Sequence, residues 1–442
     1  MVPGAYALRT KTKDHCVRIA VVGAGISGLA SARLLEQQGH AVTLFEAGNY
    51  LGGHTCTVDV TLEGRTAPVD TGFLVYNDRT YPLLIALFAQ LGVASTASEM
   101  SFSVRADEHG IEWSGTDLAA LFAQPGNALR PAFWRMLADI LRFNRETTRL
   151  LEREDAGVAA AGATALTVGR YLASERYSAP FRDWYLIPMA AAIWSSPRLS
   201  VQDFPLLSFV RFCRNHGLLQ ILNRPQWRTV TGGGRTYVAK IAAQLRDVRV
   251  NTPVLSVRRG PAGPVAVTTR QGEAHYDAVV FACHSDQALR LLADPAAEES
   301  RVLGAVRYQP NDVWLHTDER LLPRARRAWS AWNYLSAPDP DGHRPVAVSY
   351  LINKLQPLPF NTPVVVSLNP PFEPRPERVL RRLVAWHPLL DSAAVQAQSE
   401  VAALQGTRNT WFAGAWLGYG FHEDGLRSAH AVVDLIARAV HA

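Results

Sequence analysis

A glycine-rich turn near the N-terminus constrains the fold of this chain more than any other feature. The short apolar run VRIAVV at 17–22 predicts a buried parallel strand. GAGISG follows it with the spacing G-x-G-x-x-G, and residues 29–39 then have the periodicity of a helix that ends at a glycine. A second strand-like run, 41–47, has an acidic residue near its end. This order of elements is the pattern of a Rossmann-like, dinucleotide-binding domain.

Each position of the turn has a physical role in holding a diphosphate. The first glycine permits the tight turn, the second lets the backbone approach the phosphates, and the third lets helix and strand pack closely. The helix N-terminus adds free N–H groups and a partial positive charge. The acidic residue can accept both ribose hydroxyls, and it would repel a 2′-phosphate. The predicted contacts are Gly23, Gly25, Ile26, Ser27 and Gly28 in the turn, then Glu46 and Ala47.

The residues after Glu46 favour FAD over NAD as the dinucleotide. They read AGNYLGGHT, in which Gly52 and Gly53 let a second backbone segment approach the same diphosphate. His54 can donate a hydrogen bond to that group, and Thr55 is next in the chain. NAD-binding domains do not need this second segment. An ordinary Gly-Gly turn is the alternative interpretation.

With these motifs in place, the chain resembles the superfamily of flavin-containing amine oxidases, phytoene desaturases and protoporphyrinogen oxidases over nearly its whole length. The second half of the resemblance is TWFAGAWLGYGFHEDGL at 410–426, followed by a helix to the C-terminus. In that superfamily the loop carries the flavin ribityl chain, and the helix N-terminus faces the ring edge where reduced flavin is negatively charged. The resemblance implies FAD contacts at Gly414, Ala415, Gly425 and Leu426, at Val254 near the adenine, and at Gly72 and Phe73 beside the ring.

Two departures from the superfamily pattern concern the flavin and its surroundings. Ala415 stands where many relatives have an acidic residue, so it cannot make their ribityl contact. Amine oxidases of the superfamily usually carry a lysine that is water-linked to flavin N5, but no lysine lies between Lys240 and Lys354. In relatives with covalent flavin, the linking cysteine lies near the C-terminal motif. No cysteine follows Cys283 in this chain, so the resemblance implies that FAD is bound non-covalently.

Closer similarity is to a bacterial subfamily described as predicted FAD/NAD-binding proteins. It rests on the segments DTGFLVYN (70–77), AWNY (331–334), YLINKLQ (350–356) and GYGFHEDGL (418–426). Members are often encoded beside cyclopropane-fatty-acid-synthase-like genes. The resemblance therefore implies acyl-lipid chemistry and a lipid-modifying enzyme as a partner.

The two nucleotide-binding segments lie at opposite ends of the chain, which predicts a discontinuous domain. We expect an α/β fold, α+β overall, with a Rossmann-like FAD-binding domain and a mixed helix and sheet substrate domain. Residues 80–225 are predicted to be mainly helical and 311–370 mainly strands, and Arg375–Arg382 is interpreted as a solvated helix face. The predicted division is a disordered tail at 1–16, an FAD-binding domain from 17–79, 226–310 and 400–442, and a substrate domain from 80–225 and 311–399.

The catalytic and substrate candidates lie in the two predicted domains. His422 and Glu423 follow the C-terminal glycine loop and could remove a proton beside the flavin, whereas helix capping, with Asp424 as N-cap, is the alternative. Aromatic residues could line an apolar tunnel that suits a lipid, although most aromatics fill cores. The substrate candidates are Tyr76, Trp194, Trp332 and Tyr334.

Composition limits the remaining choices. The chain has 442 residues and a formal net charge of +6, which is too small and too dispersed to predict nucleic-acid binding but is compatible with an anionic membrane surface. The four cysteines have no CxxC spacing, so no metal site is predicted. No secretory signal or membrane-spanning run is found, and we expect a cytoplasmic protein, with peripheral contact at the inner membrane face as a variant of that expectation.

The first functional hypothesis is an FAD-dependent oxidoreductase that desaturates an apolar acyl-lipid or fatty-acid-like substrate by hydride transfer to flavin N5. Three alternatives stay open at this stage. They are a flavin amine oxidase, an FAD-dependent double-bond isomerase, and a non-catalytic flavoprotein partner of a lipid-modifying enzyme.

Overall fold

The computed structural model describes most of the chain in full atomic detail. The described residues are 16–156, 166–194, 201–219, 224–260, 263–337 and 347–441, with the side chain of Trp194 also left out. The predicted tail at 1–16 therefore lies outside the described residues except for Cys16. All four cysteines are free thiols.

A five-stranded, fully parallel sheet forms the nucleotide-binding end of the molecule. Its strands carry the most continuous apolar runs of the sequence and are buried on both faces, as parallel strands with helical crossovers must be. The spatial order is Val248–Arg249, Ala41–Phe45, Arg18–Val22, Ala278–Phe281 and Thr410–Phe412. The first and last segments of the chain thus lie in one sheet, as the sequence predicts.

A seven-stranded mixed sheet forms the second layer of the fold. Two of its strands come from the region that the sequence analysis assigned to helices, and its edge strand replaces the predicted helix face at Arg375–Arg382. Residues 80–225 are mainly helical, as predicted, apart from a few short strands. The helix face at Arg375–Arg382 was wrong, because much of this segment is a strand that pairs with Arg307–His316, a distant part of the chain. The spatial order is Val379–Leu389, Arg307–His316, Val365–Leu368, Ala347–Leu351, Trp332–Ser336, Phe102–Ala106 and Ile111–Ser114.

Three smaller sheets connect these layers. The run at 248–259, which the sequence presents as one strand, is split between the parallel sheet and an antiparallel sheet that begins at Val254. The small sheets are Val254–Arg259, Val265–Thr269 and Gly272–Tyr276; Thr57–Leu62 and Arg65–Asp70; and Tyr76–Asn77, Trp227–Val230 and Ser95–Ala97.

Helices cover both large sheets. The longest, Pro131–Asp155, is amphipathic and packs against Leu206–Asn215. The helices are Ile26–Gln37, Pro82–Leu91, Leu118–Leu121, Pro131–Asp155, Val168–Ser174, Ala179–Phe181, Ile187–Trp194, Leu206–Asn215, Arg235–Ala242, Ser285–Leu291, Ala297–Ala305, Ile352–Leu355, Ser392–Glu400 and His422–His441. Within the described ranges, none of them has the length and apolar character needed to span a bilayer.

Candidate active site

The parallel sheet brings four loops together at one edge. Because its strands run in the same direction, the residues that follow their carboxyl ends meet there. These residues line a single cavity of about 1240 Å³. They come from Gly23–Gly25, Glu46–Ala47, Ala282–His284 and Gly414–Trp416.

Two glycine segments form a continuous backbone surface in this cavity. The N–H of Gly52 donates to the carbonyl of Ala24 at 2.8 Å, and Gly25 and Gly52 form an isolated parallel bridge. A Cβ added to Gly53 would stand 3.1 Å from the Cα of Gly25. Gly25 itself has no protein atom within 4 Å of an added Cβ, so its open side faces the cavity. A side chain there would fill the space that a diphosphate needs.

Gly28 does not line the cavity but holds the turn together. A Cβ at this position would stand 1.8 Å from the carbonyl oxygen of Gly23. The helix Ile26–Gln37 therefore packs on the preceding strand at a distance that only glycine permits. Ile26 and Ser27, at the start of the helix, line the cavity.

The carboxylate of Glu46 is fixed at the end of the second parallel strand. Its two oxygens accept the N–H groups of Ala24 at 2.9 Å and Gly48 at 2.8 Å. Each carboxylate oxygen can accept a second hydrogen bond. Glu46 also lines the cavity beside Ala47, so it can still accept hydroxyl groups of a ribose.

His54 belongs to a group of three histidines in the cavity wall. Its ring lies 5.1 Å from that of His387 and 6.3 Å from that of His284, measured between centroids. His284 also stacks on Tyr308 at 4.3 Å. The sequence analysis found His54 but missed the other two. His284 comes shortly after the parallel strand Ala278–Phe281, and residues at the carboxyl ends of such strands are expected at the site, so it could have been predicted. His387 lies on the strand Val379–Leu389, whose first part was predicted to be a helix face.

Residues 71–73 line the cavity beside the loop that carries His54. The added Cβ of Gly72 would stand 2.0 Å from the carbonyl oxygen of His54, so the two loops touch through their backbones. Phe73 lines the cavity, whereas Asp70 is buried and accepts hydrogen bonds from Thr57, Gly234 and Gln356. Asp70 therefore has a structural role, joining three segments of the chain.

The C-terminal segment differs in detail from the expectation. The last helix begins at His422 rather than at Gly425, and Asp424 lies in its first turn, where it accepts the N–H groups of Tyr419 and Phe421. Gly425 and Leu426 do not line the cavity. An added Cβ at Gly425 would stand 2.8 Å from the side chain of Ser27, so this glycine lets two helix N-termini approach each other.

Gly414 and Ala415 line the cavity, and Trp416 lies beside them. The indole N–H of Trp416 is buried and has no hydrogen-bond partner among the described residues. An unpaired buried donor that faces a cavity fits a site built for a polar ligand. Val254 also lines the cavity, at the opposite side of the glycine turn.

His422 is held by a buried hydroxyl pair. Its Nε2 lies 2.8 Å from the hydroxyl of Tyr237 and 3.0 Å from that of Thr55, and these two hydroxyls are 2.5 Å apart. The ring stacks on Phe73 with a centroid distance of 3.7 Å. Burial lowers the pKa of His422 to about 3, so the ring is neutral at neutral pH. Thr55 does not line the cavity and acts through His422.

Glu423 is not available for chemistry, which corrects the sequence hypothesis. Its carboxylate accepts the N–H groups of Leu83 at 3.0 Å and Leu84 at 3.1 Å. Those groups open the helix Pro82–Leu91, and Glu423 is 4% exposed. The residue caps a neighbouring helix, and a contact across 340 positions has no local signal in the sequence.

The wider end of the cavity is apolar. Of the four substrate candidates, Trp332 lines this region, and its indole N–H is unpaired among the described residues. Tyr76 and Tyr334 are buried in core clusters and do not line the cavity, which contradicts their assignment, while the Trp194 side chain lies outside the described residues. Lining residues that the sequence analysis missed include Met100, Phe102, Met189, Ile193, Phe212 and Phe421.

The acidic residue on this side of the cavity is paired with a lysine. Glu99 lines the cavity, and its carboxylate oxygens lie 3.0 and 3.1 Å from the Nζ of Lys354. Lys354 is therefore paired rather than freely solvated. Asn311 lies in the strand Arg307–His316, which contains no lysine. It is buried and forms hydrogen bonds with His387 and Asn369.

The parallel sheet, the paired glycine segments and the carboxylate of Glu46 surround one cavity, an arrangement typical of a dinucleotide-binding protein. A model of the family described as flavin containing amine oxidoreductase matches residues 26–436. The chain belongs to this family, whose members are oxidoreductases that hold FAD. The residues around the cavity fit that cofactor, because the open side of Gly25 and the unpaired Trp416 N–H leave room and a donor for it.

Two curated proteins are similar in sequence to part of this chain. A putative flavin-containing monoamine oxidase, AofH, of Mycobacterium tuberculosis is 29% identical over 291 residues, covering 63% of this chain and 59% of the relative. A carotenoid phi-ring synthase of Streptomyces griseus is 27% identical over 342 residues, covering 70% and 62%. The matched segment thus spans about three fifths of these relatives.

A solved structure with a similar fold is the CLA-producing fatty acid isomerase from P. acnes. It aligns over 97% of this chain and 99% of its own, with a TM-score of 0.66 and 16% identity. At this identity the likeness concerns the fold.

Proposed function

We propose that this protein is an FAD-dependent oxidoreductase that dehydrogenates an apolar, acyl-lipid or fatty-acid-like substrate. The observation that carries the proposal is the apolar end of the cavity, which is lined by aromatic and aliphatic side chains. Apolar walls bind an alkyl chain by removing its surface from water. When bound, FAD supplies an acceptor for a hydride at N5.

The FAD contacts belong to the same proposal. Glu46 accepts the ribose hydroxyls, Gly25 and Gly53 approach the diphosphate, and Val254 lies against the adenine. Phe73 and Gly414 lie toward the ring end. We assign FAD binding to residues 17–79, 226–310 and 400–442, and substrate binding to 80–225 and 311–399.

The charge distribution supports a neutral alkyl substrate over an amine. A cationic amine in an apolar cavity needs an uncompensated carboxylate or another strong acceptor. The carboxylate of Glu99 at that end is already paired with Lys354. No lysine is among the residues that line the described cavity, unlike the pattern of the amine oxidases.

His422 is proposed to supply the polar contact for proton removal. Its Nε2 is engaged by Tyr237 and Thr55, and no described residue bonds its Nδ1. The ring lines the cavity and stays neutral, so it can accept a hydrogen bond from a ligand there. With FAD bound, the flavin would supply the hydride acceptor for one substrate carbon, and the proton of the neighbouring carbon would leave at the contact with His422.

Anaerobic titration of the purified holoprotein tests the proposal. Free fatty acids and unsaturated phospholipids, dispersed in detergent, should bleach the oxidised-flavin absorbance, and a product two hydrogens lighter should appear by mass spectrometry. Bleaching by amines alone would make the protein an amine oxidase. A product of unchanged mass without net bleaching would make it an isomerase.

Absence of both bleaching and product with every compound would leave the role of a flavoprotein partner. Such a partner would stimulate a lipid-modifying enzyme without turning over by itself. Acid denaturation of the same sample should release all the flavin, because we propose non-covalent binding. Flavin that stays with the precipitated chain would contradict this part of the proposal.

A further inference from the structure

An exposed apolar patch lies on the helical side of the fold, outside the cavity. Four large side chains form it, and no described residue covers them. Their exposed fractions are 76% for Leu118, 87% for Leu129, 52% for Trp134 and 58% for Leu141. We call these four residues the apolar patch. A contiguous exposed patch of this kind marks an interaction surface.

A ring contact, a hydrogen bond and helical spacing place the four residues near one another. The rings of Trp134 and Phe122 lie 5.7 Å apart, and Phe122 follows Leu118 by one helical turn. The indole N–H of Trp134 donates to the carbonyl of Ala128 at 2.9 Å, which places the ring beside Leu129. Leu141 lies seven residues after Trp134 in the helix Pro131–Asp155, on the same face.

Basic side chains extend the same helical face. Arg145 follows Leu141 by one turn, Arg149 follows by another, and both are exposed. Neither makes a hydrogen bond or ion pair with a described residue. Glu152 lies at the far end of the face, and Asp117 beside Leu118 uses its carboxylate to cap the N–H of Ala120. The charge of Arg145 contributes to lowering the pKa of the neighbouring Glu146 carboxyl. The face therefore joins exposed apolar groups to two exposed arginines.

The patch is next to the cavity along the chain. Gly115 and Thr116, which directly precede Asp117 and Leu118, line the apolar end of the cavity. Trp113 lines it as well, on the strand that leads into this loop.

We propose that the apolar patch with Arg145 and Arg149 docks the protein on an anionic lipid bilayer. Exposed tryptophan and leucine insert into the headgroup region while arginines interact with anionic lipids, and both terms add to binding. A second copy of this chain is the poorer occupant, since a two-fold interface would bring the same arginines of both copies together.

Vesicle binding of the holoprotein tests the surface. Vesicles of phosphatidylcholine with and without phosphatidylglycerol are pelleted with the protein, at low and at raised salt. We expect binding to the anionic vesicles that weakens with salt. Leu129→Ser combined with Leu141→Ser should lower the partition coefficient at least tenfold on both kinds of vesicle. Arg145→Glu combined with Arg149→Glu should lower it at least tenfold on anionic vesicles only.

Leu255→Ser is the matched control, because Leu255 is 50% exposed but lies on a separate antiparallel sheet. It should bind like the parent protein. Absence of binding to either vesicle, or an equal loss in the control, would overturn the proposal. A dimer in light scattering that the leucine variant dissociates would assign the patch to a second copy instead.

Flavin content and melting temperature check that each variant is folded. The inference is separable from the proposed activity, since turnover of detergent-dispersed substrate should not change in the patch variants. Vesicle binding without any lipid turnover would support the docking surface and contradict only the proposed substrate.

Discussion

Gly53 packs against Gly25 so closely that a Cβ on Gly53 would stand 3.1 Å from the Cα of Gly25. The two residues belong to separate loops, and the Gly52 N–H bond to the carbonyl of Ala24 fixes them together. The result is one backbone surface with N–H groups and no side chains over it. Such a surface accommodates a diphosphate because nothing bulkier than hydrogen limits its approach.

Two alanine substitutions distinguish a glycine needed for FAD binding from a glycine needed for stability. Gly25→Ala should leave the free energy of unfolding of the apoprotein nearly unchanged, because no protein atom lies within 4 Å of the new Cβ and the φ of −70° suits alanine. It should weaken FAD binding at least tenfold, since the methyl group enters the cavity. Fluorescence titration of apoprotein with FAD measures this, and an unchanged affinity would place the diphosphate elsewhere.

Gly28→Ala, in contrast, should lower the free energy of unfolding. The new Cβ would stand 1.8 Å from the carbonyl oxygen of Gly23, so helix and strand must separate. We expect a loss of about 3 kcal/mol or more in the free energy of unfolding by urea titration. Wild-type stability would mean that the first turn does not pack as described.

Glu46 is predicted to select the ribose. Glu46→Gln removes the charge from two hydroxyl contacts and should raise the Kd for FAD by roughly 10- to 100-fold, while Glu46→Arg should yield protein without flavin. Glu36→Gln is the control, because Glu36 also accepts a backbone N–H, from Arg246, but does not line the cavity. Full flavin occupancy in Glu46→Arg would contradict the assignment.

Sequence alone predicts the nucleotide-binding end closely because its signals are local. The glycine turn, the first helix and the strands around them are encoded by consecutive residues. The strand Phe102–Ala106 forms a local hairpin with Ile111–Ser114, but its place inside the large sheet depends on a parallel pairing with Trp332–Ser336, more than 200 positions distant, which has no local signal. Likewise Val379–Leu389 has charged residues at consecutive positions because it is an edge strand, with much of its length in solvent.

The residues of the candidate site also differ in whether a local sequence signal predicts them. Residues that act through the backbone, such as Gly25 and Gly52, are recognisable from spacing. Side chains whose role depends on a distant partner are not: Glu423 caps the helix at Leu83, and Tyr76 turns into a core cluster. The apolar cavity wall is assembled from several elements, so its aromatic residues could not be separated from ordinary core residues by sequence alone.

Neighbouring residues His422 and Glu423 should respond differently to substitution. Glu423→Gln should reduce the free energy of unfolding by about 1–3 kcal/mol, because a charged cap of two N–H groups is weakened, but flavin content and turnover should persist. His422→Phe should retain the stacking on Phe73 and the fold while turnover falls at least 100-fold. Stability by urea titration and anaerobic flavin reduction rates together measure both. Equal turnover in His422→Phe and the parent would remove His422 from the chemistry.

Acid sensitivity should arise from buried neutral histidines, of which His316 is the clearest case. Its Nδ1 accepts the N–H of Asp318 at 3.0 Å, and its Nε2 lies 2.8 Å from the hydroxyl of Ser367, so only a neutral ring satisfies both contacts. Burial lowers the pKa of His316 to about 4. The unfolded chain, with a histidine pKa of about 6.5, therefore binds more protons than the folded protein between these values.

The unfolding free energy should therefore rise with pH from about 4 to 6.5 and be fully restored above that range. His316→Gln should be less stable than the parent at pH 7.5, yet lose less stability on acidification to pH 5. Urea titrations at both pH values measure the difference, with His430→Gln, an exposed position on the last helix, as control. An identical pH dependence in parent and His316→Gln would show that the ring of His316 does not stay neutral in the folded protein.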